Sequence, residues 1–414
     1  MADQRPERTD SLPFNGTLLS PAGIGGVNRS LVLRALCDYG PLSRADLARM
    51  AGVTRATIGN IVQDLIDVGM LEQLEAKQGT GLVGKPPKPV WFAPRAGLSG
   101  AAAIRQGSCE VALVNARGDV LEATELAFDP DATTASAAAE AVIAGLRQVL
   151  PEAIDEVIGI GIAVPGVVDT ATGLIHGSGQ LPGIAGTEFA EQLSRAFAPT
   201  VVVDNDARAQ ALGERWFGDG RGVNSFAAVQ TGDGLGLGLV LDGVIVRGPQ
   251  GLSGELGHIG VVAHGGEPCR CGLSGCWETI ATLRWLRAEA AALGLPDAGH
   301  LDAASLSTMA TERSDAAELL DRYADNLAVG LASLATIMAP RRIILHGDAI
   351  GGGEPFRASI ETKVWARMLP HAVEVVEVTL SELDQRAGLL GAAGLVLSET
   401  FRLRAGAMGA GRGR

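Results

Sequence analysis

Three of the chain's five cysteines, Cys269, Cys271 and Cys276, fall within eight residues, and His258 stands eleven residues before the first of them. Three thiolates and one imidazole make a closed tetrahedral set for zinc. Cysteine buries readily, but burial does not account for a CxC pair, glycines and a third cysteine in CRCGLSGCWE (269–278). Structural Zn2+ is therefore the expected cofactor. A closed set needs no fifth donor, which leaves the neighbouring carboxylates Glu255 and Glu278 for another task.

A second group lies in VVVDNDARAQALGE (201–214), which reads as a strand entering a helix with Asn205 and Asp206 at the junction. An acid there sits near helix-dipole donors and can grip hydroxyls. The same pair is more commonly a helix cap.

Taken together, GELGH (254–258), CRCGLSGCWE and the NDxxAxALGE pattern at 205–214 resemble the ROK family, which contains repressors, open reading frames and sugar kinases. The resemblance implies that His258, Cys269, Cys271 and Cys276 hold the zinc. It also implies that Asn205, Asp206, Glu255, His258 and Glu278 line a sugar pocket. His258 would give one ring nitrogen to the metal and the other to a hydroxyl. Asp206 matches the position that acts as general base in the family's kinases, and Asn205 is an adjacent sugar contact. Residues 160–169 match the family's strand and Pro-Gly turn beside the pocket. Leu181-Pro182-Gly183 matches a pocket loop, with Ile184 where an aromatic is common.

The nucleotide side departs from the pattern. Kinases of the family open the body with Asp-x-Gly-Gly-Thr, and this chain has Arg105-Gln106-Gly107-Ser108. Close approach of backbone amides to phosphate needs glycines. A second nucleotide region, which usually ends in a glycine pair, reads Leu345-His346-Gly347-Asp348, and its added acid would repel phosphate. The loop Thr231–Gly238 keeps its glycines, which is weak evidence alone. With the sugar half kept and the ATP half damaged, no catalytic activity is expected and Asp206 is a vestigial base.

These groups must be positioned by a body of alternating hairpins and helices. Strand patterns at 99–125, turning at Asn115–Gly118, are echoed at 225–248, turning at Asp242-Gly243. Two hairpin-first units fit the actin-like architecture of the family, although sequence repetition is too faint to prove duplication. A helical pattern closes the body at 387–401.

Ahead of the body, residues 28–70 show three helical patterns. The first carries Val32, Ala35 and Leu36 and ends near Tyr39-Gly40-Pro41. The second starts at Ser43 with Asp46 three residues on, a capping-box start, and stops at Ala51-Gly52. The third starts at Thr54 and carries Ile58, Ile61, Val62 and Leu65 on one face. The tight link at 51–54 matches a helix-turn-helix. Thr54, Arg55, Thr57 and Asn60 give the third helix a polar start, suited either to base edges and phosphates or simply to solvent. Strands at 71–74 and 89–92 flank a basic, glycine-rich wing with Gly84-Lys85-Pro86 at its tip. Lys85 and Lys88 are its phosphate-contact candidates, although lysine lacks the planar fork of the family's arginine.

Composition bounds the rest. A chain of 414 residues with 47% hydrophobic and 20% charged residues is globular and too long for one ordinary core. Residues 1–95 hold 11 basic and 9 acidic residues, a net of +2, so the overall −13 leaves −15 for the remainder. The acidic remainder repels DNA, and the near-neutral head can still bind it. No apolar run is long enough to span a membrane, no secretory h-region opens the chain, and grouped thiols suit a reducing cytoplasm.

The expected fold is α/β, an actin-like, sugar-kinase-like two-lobed domain at 95–414 with its zinc loop at 258–278. An all-α/winged helix-turn-helix domain at 23–94 precedes it, after a disordered arm at 1–22; residues 404–414 read as a disordered tail. The resemblance implies a sugar-responsive transcriptional regulator, with repression relieved by sugar as the favoured sign. Its expected partners are operator DNA with an inverted repeat, a monosaccharide or phosphosugar effector, and further copies in a homodimer or homotetramer, with no membrane. The alternatives are an ATP-dependent sugar kinase with an accessory DNA-binding head, and a zinc-stabilised protein whose head contacts another protein.

Overall fold

The computed structural model describes residues 25–75, 88–105, 107–128, 134–369, 376–383 and 386–400. The arm at 1–22, the tail at 404–414 and the wing tip with Lys85 lie outside these residues. The described residues form two compact units, one within 25–96 and the other within Gly97–Glu399.

In the first unit, α1 (Gly25–Tyr39) ends at Gly40, whose φ of +81° terminates the helix. Helix α2 (Arg44–Ala51) begins with the capping box that the sequence suggests: the Ser43 side chain accepts from the Asp46 amide, and the Asp46 side chain returns to the Ser43 amide. It stops at Gly52, in the left-handed region at φ +66°, which a β-carbon would strain. Helix α3 (Arg55–Asp67) buries Ile58, Val62 and Leu65, with Ile61 only partly covered. Strands β2 (Leu71–Gln73) and β3 (Pro89–Phe92) pair antiparallel as expected. A third strand, β1 (Leu42–Ser43), pairs with β3 on its other edge, a two-residue element too short to register as a pattern.

The second unit carries two sheets built to one plan. In the first, β4 (Leu98–Arg105), β5 (Ser108–Val114) and β6 (Val120–Ala127) form an antiparallel meander. After α4 (Ala135–Val149), β7 (Val157–Val164) joins parallel to β4. The hairpin β8 (Val167–Asp169) and β9 (Leu174–Gly177) and helix α5 (Glu188–Ala196) follow, and β10 (Val201–Asn205) joins parallel to β7. The strand order is β10-β7-β4-β5-β6.

Helix α6 (Asp206–Phe217) leads into the second sheet, where β11 (Phe226–Thr231), β12 (Gly236–Leu241) and β13 (Val244–Ile245) make the same meander. Helices α7 (Leu283–Ala292), α8 (Ala303–Met309) and α9 (Ser314–Met338) precede β14 (Arg342–Gly347), which joins parallel to β11. Helices α10 (Asp348–Gly351) and α11 (Gly353–Trp365) precede β15 (Glu377–Leu380), parallel to β14. The order β13-β12-β11-β14-β15 repeats that of the first sheet element for element, so topology supplies the duplication that the sequence leaves faint.

Helix α12 (Ala387–Thr400) returns to pack on α6 and β7. A β-carbon on Gly391 would lie 1.9 Å from the Ala209 carbonyl oxygen, so the two helices approach at backbone distance. The first lobe's core joins Val111, Ile160, Ile162 and Val164 to α4 and α5. The second lobe's core joins α9 to Trp277, which is fully buried and donates from Nε1 to the Asn326 carbonyl at 2.7 Å. Trp277 thereby fixes the end of the cysteine loop to α9. Among the described residues no helix is long and apolar enough to cross a membrane.

Candidate metal centre and sugar cleft

His258 closes a single 3-10 turn (Leu256–His258), and the chain then folds back on itself through bridges Gly260↔Cys276 and Pro268↔Ser274. Gly275 makes the return possible: it sits at φ +74°, and a β-carbon there would meet the Val262 carbonyl oxygen at 2.3 Å. The loop gathers His258, Cys269, Cys271 and Cys276 with all four donor atoms within 4.8 Å of one another. Cys269 Sγ is 3.6 Å from His258 Nδ1, and Cys271 Sγ is 3.6 Å from Cys276 Sγ. Tetrahedral zinc at a Zn–S length of about 2.3 Å separates its sulfurs by about 3.8 Å. The donor set and its spacing therefore fit one metal ion. The remaining cysteines, Cys37 and Cys109, are buried elsewhere.

With Nδ1 on the sulfur side, His258 Nε2 is the nitrogen left over, and it faces Glu255 at 3.9 Å. Glu255 is exposed, and its charge acts on Asp206, raising that carboxylate's pKa. A β-carbon on Gly236 would lie 2.9 Å from Ala207 Cβ, and one on Gly257 2.8 Å from the Leu235 carbonyl oxygen, so the turn that carries His258 and the helix start after Asn205 both pack against the beginning of β12.

At that junction the helix-cap reading of the pair holds. Asn205 caps α6, accepting from the Arg208 amide at 3.1 Å, while its Nδ2 donates to the Gly166 carbonyl and to Asp206 Oδ1, each at 2.9 Å. Asp206 Oδ1 also accepts from the Ala207 amide at 2.9 Å. Burial is the main cause that pushes the Asp206 pKa up to about 6.

Two expectations need correction. Glu278 is not left free: it is buried and its two oxygens are bonded by Arg270, Nε to Oε2 at 3.2 Å and Nη2 to Oε1 at 3.0 Å. Oε1 also accepts from the Leu235 amide at 3.0 Å. In the head, Thr54 and Thr57 are spent on the start of α3. Thr54 Oγ1 accepts from the Thr57 amide at 3.2 Å and lies 2.9 Å from Thr57 Oγ1. Arg55, Asn60 and Lys88 are exposed. Ile184, where an aromatic was the comparison, is fully buried in the first lobe's core.

Residues that no motif singles out brace this junction. Asp204, fully buried, accepts from Arg208 Nε at 2.7 Å and Arg247 Nε at 2.8 Å. Arg208 also donates to the carbonyls of Val168, Gly251 and Ser253 at 2.8, 2.8 and 3.2 Å. It ties α6 to β8 and to the loop that enters GELGH. The i, i+4 spacing of Asp204 and Arg208 was the available signal, obscured because Asp204 reads as strand and Arg208 as helix.

On the nucleotide side, β4 and β5 end at the pair Arg105↔Ser108, with Gly107 at φ +88° and Arg105 paired to Glu110 at 3.3 Å. Asp348 faces its own lobe: it accepts from the Ala303 amide at 2.9 Å and from the Tyr323 hydroxyl at 2.9 Å. Tyr323 is stacked between Trp285 and Phe356. Gln230 covers Gly347, where a β-carbon would lie 2.3 Å from the Gln230 amide nitrogen.

A duplicated, hairpin-first two-lobed body with a His/Cys3 loop beside an Asn-Asp junction defines an actin-like sugar-kinase class of protein. Within that class the chain belongs to the ROK family, whose pattern matches residues 101–399. The MarR family pattern matches residues 23–79. The chain is 25% identical over 377 residues to the xylose repressor of Bacillus subtilis, covering 90% of this chain and 95% of that protein. It is 32% identical over 264 residues to a glucokinase of Halalkalibacterium halodurans, covering 61% of this chain and 79% of that one. A crystal structure of a ROK family transcriptional regulator, a homolog of the Escherichia coli MLC protein, shares the fold with a TM-score of 0.74 at 23% identity, covering 91% and 96% of the two chains.

Proposed function

We propose that the chain is a sugar-responsive transcriptional repressor that binds operator DNA through its helix-turn-helix head and senses a carbohydrate in the ROK body. The observation that carries this reading is the extent of the likeness: the xylose repressor aligns over head and body together, the glucokinase over only 61% of the chain. The exposed Arg55, Asn60 and Lys88 supply the DNA contacts, with Lys85 adding charge from the wing. An inverted-repeat operator, read by a homodimer or homotetramer, follows from half-site geometry.

His258, Cys269, Cys271 and Cys276 would hold zinc. Bound there, the ion supplies a structural crosslink rather than a Lewis acid, because four protein donors leave no open position. Asn205, Asp206, Glu255 and His258 would be the sugar contacts, with Glu278 held beside them by Arg270. Asp206 accepts from a hydroxyl, and His258 Nε2 is oriented by its other nitrogen's place in the cluster. The reading without catalysis rests on Arg105-Gln106-Gly107-Ser108 standing where the family's kinases carry Asp-x-Gly-Gly-Thr. Removal of the repressor by sugar is a population shift: the sugar changes DNA affinity only by as much as it distinguishes the bound from the released state.

A mobility-shift assay on the promoter nearest the gene tests the reading, run with and without candidate sugars. Preference for that fragment over random DNA, weakened by one sugar, is the expected result. ATP-dependent phosphorylation of a sugar without any DNA preference would establish the kinase alternative instead.

A further inference from the structure

Where α6 meets the second sheet, a buried polar group stands apart from the sugar junction. The side chains of Glu214 on α6 and His346 on β14 are 0% and 2% exposed, and Glu214 Oε1 lies 3.2 Å from His346 Nε2. Ser381, which follows β15, donates its hydroxyl to Glu214 Oε1, and the Asp219 amide donates to Oε2 at 2.8 Å. Gly218 lets the turn after α6 close over this carboxyl, since a β-carbon there would lie 2.1 Å from Oε2. Among the described residues, neither ring nitrogen of His346 has an aligned hydrogen-bond partner.

An ionised carboxylate can only accept, and a neutral imidazole has one donor and one acceptor nitrogen. Facing each other in a buried site, Oε1 and Nε2 need one proton between them. If Nε2 carried it, Glu214 would be a buried anion facing a neutral ring. Its surroundings oppose that charge. The carboxylates of Asp219 and Glu382 both act against it. Arg342, on the same strand as His346, is committed to Glu377 at 2.7 Å and to the Asp219 carbonyl at 2.7 Å. Arg215, next to Glu214 on α6, donates to the Gly243 carbonyl. The residues that α12 buries, from Ala387 to Leu397, are all uncharged. Burial accordingly pushes the Glu214 pKa up to about 7, with Asp219 and Glu382 adding to it, and pushes that of His346 down to about 3.

We propose that Glu214 is held as the neutral acid and donates its proton to His346 Nε2, making a pH-sensitive clamp between α6 and the second sheet. The same acid still accepts from the Ser381 hydroxyl and the Asp219 amide. Alkaline solution takes the proton to water and leaves two acceptors facing each other. Because α6 starts at Asp206 with Asn205 as its cap, the clamp fastens the helix of the sugar junction to the second lobe. The sign follows from the two pKa values. The unfolded carboxyl releases its proton near 4.5 and the folded one near 7, so this group's stabilisation is complete below about 4.5 and is lost as pH rises to about 7.

The test is thermal denaturation of the full-length, zinc-loaded protein from about pH 5 to about pH 8.5, wild type against Glu214→Gln. Glutamine keeps the shape of the neutral acid and donates from its amide at every pH. The variant should melt close to wild type at about pH 5 and several degrees above it at about pH 8. Asp206 titrates alike in both proteins, so the difference between the two curves isolates Glu214. Parallel curves overturn the proposal. A variant that melts below wild type at about pH 8 also overturns it, since the carboxylate would then be the stabilising form. Should Glu214→Gln fail to fold, nitrogen-15 NMR of the wild-type imidazoles reads the same proton, with His346 assigned among the chain's six histidines. His346 should remain neutral down to about pH 5, with Nε2 as its acceptor nitrogen. An imidazolium at about pH 6, or a proton on Nε2, overturns the proposal. Neither readout involves sugar or DNA, so the outcome is independent of the sugar-sensing reading.

Discussion

Asp204 and Arg208 form an ion pair at 2.7 Å with side chains only 0% and 1% exposed. Every donor nitrogen of Arg208 is used, on Asp204 or on carbonyls of Val168, Gly251 and Ser253. Breaking a buried pair by removing one partner leaves an uncompensated charge, at a cost of about 3–5 kcal/mol. Arg208→Ala should therefore lower the thermal transition of the body by many degrees. It should also weaken sugar binding, because the loop entering GELGH loses its anchor. An Arg208→Ala protein within about 1 kcal/mol of wild type would show that Arg247 alone satisfies Asp204.

Metal removal has a local and a global consequence. Wild-type protein should contain about one zinc per chain, and Cys276→Ser should lose it. Cys276 immediately precedes Trp277, the buried anchor to α9, so chelation should loosen the second lobe as well as the loop. Elemental analysis with a thermal melt, before and after chelator, checks both. Full stability in metal-free protein would remove the structural role.

Sugar affinity should depend on pH through Asp206, whose pKa burial pushes up to about 6 from 3.8. If hydroxyls bind the carboxylate form, affinity rises by about tenfold between pH 5 and pH 7, in proportion to the ionised fraction. Stability without ligand runs the opposite way. The unfolded state loses this proton first, so the Asp206 contribution to stability falls as pH rises from about 4 to about 6. Asp206→Asn should bind weakly and show a flat profile across the same range. Titration calorimetry at several pH values decides it, and equal slopes in wild type and variant would assign the dependence to another group.

The parts legible in the sequence are those fixed by local rules. The Ser43–Asp46 box and the Gly52 stop are written within a few residues, and the metal set is written in cysteine spacing. The parts not legible depend on where a side chain goes once distant segments meet. Arg270 stands between two metal-binding positions and looks like loop filler until Gly234 and Gly179 come beside it. Arg208 occupies an unremarked slot in the helix after Asn-Asp, and its four acceptors lie in β10, β8 and the loop before Glu255. Ile184 was compared with a pocket aromatic, yet the turn Pro182–Ile184 directs it into the core.

The head separates affinity, specificity and helix stability among neighbouring residues. Thr54 is the N-cap of α3, and its hydroxyl is committed to Thr57. Thr54→Ala should cost the head about 1 kcal/mol of stability without changing which sequence is preferred. Arg55 and Asn60 are exposed near the start of the same helix. Arg55→Ala should cost about 1–3 kcal/mol on the preferred operator and much less on random DNA, because a lost base contact is sequence-specific. Lys88 adjoins β3 at the base of the wing and is exposed. Lys88→Ala should weaken operator and random DNA alike and reduce the salt slope by about one, as one phosphate contact is lost. The strongly acidic body adds no nonspecific attraction, so the two signatures should separate cleanly. Mobility shifts of the full-length variants on operator and random fragments, at several salt concentrations, measure both. If Arg55→Ala and Lys88→Ala reduce binding to the two fragments by the same factor, the division between base and phosphate contacts fails, and Arg55 belongs with the backbone contacts.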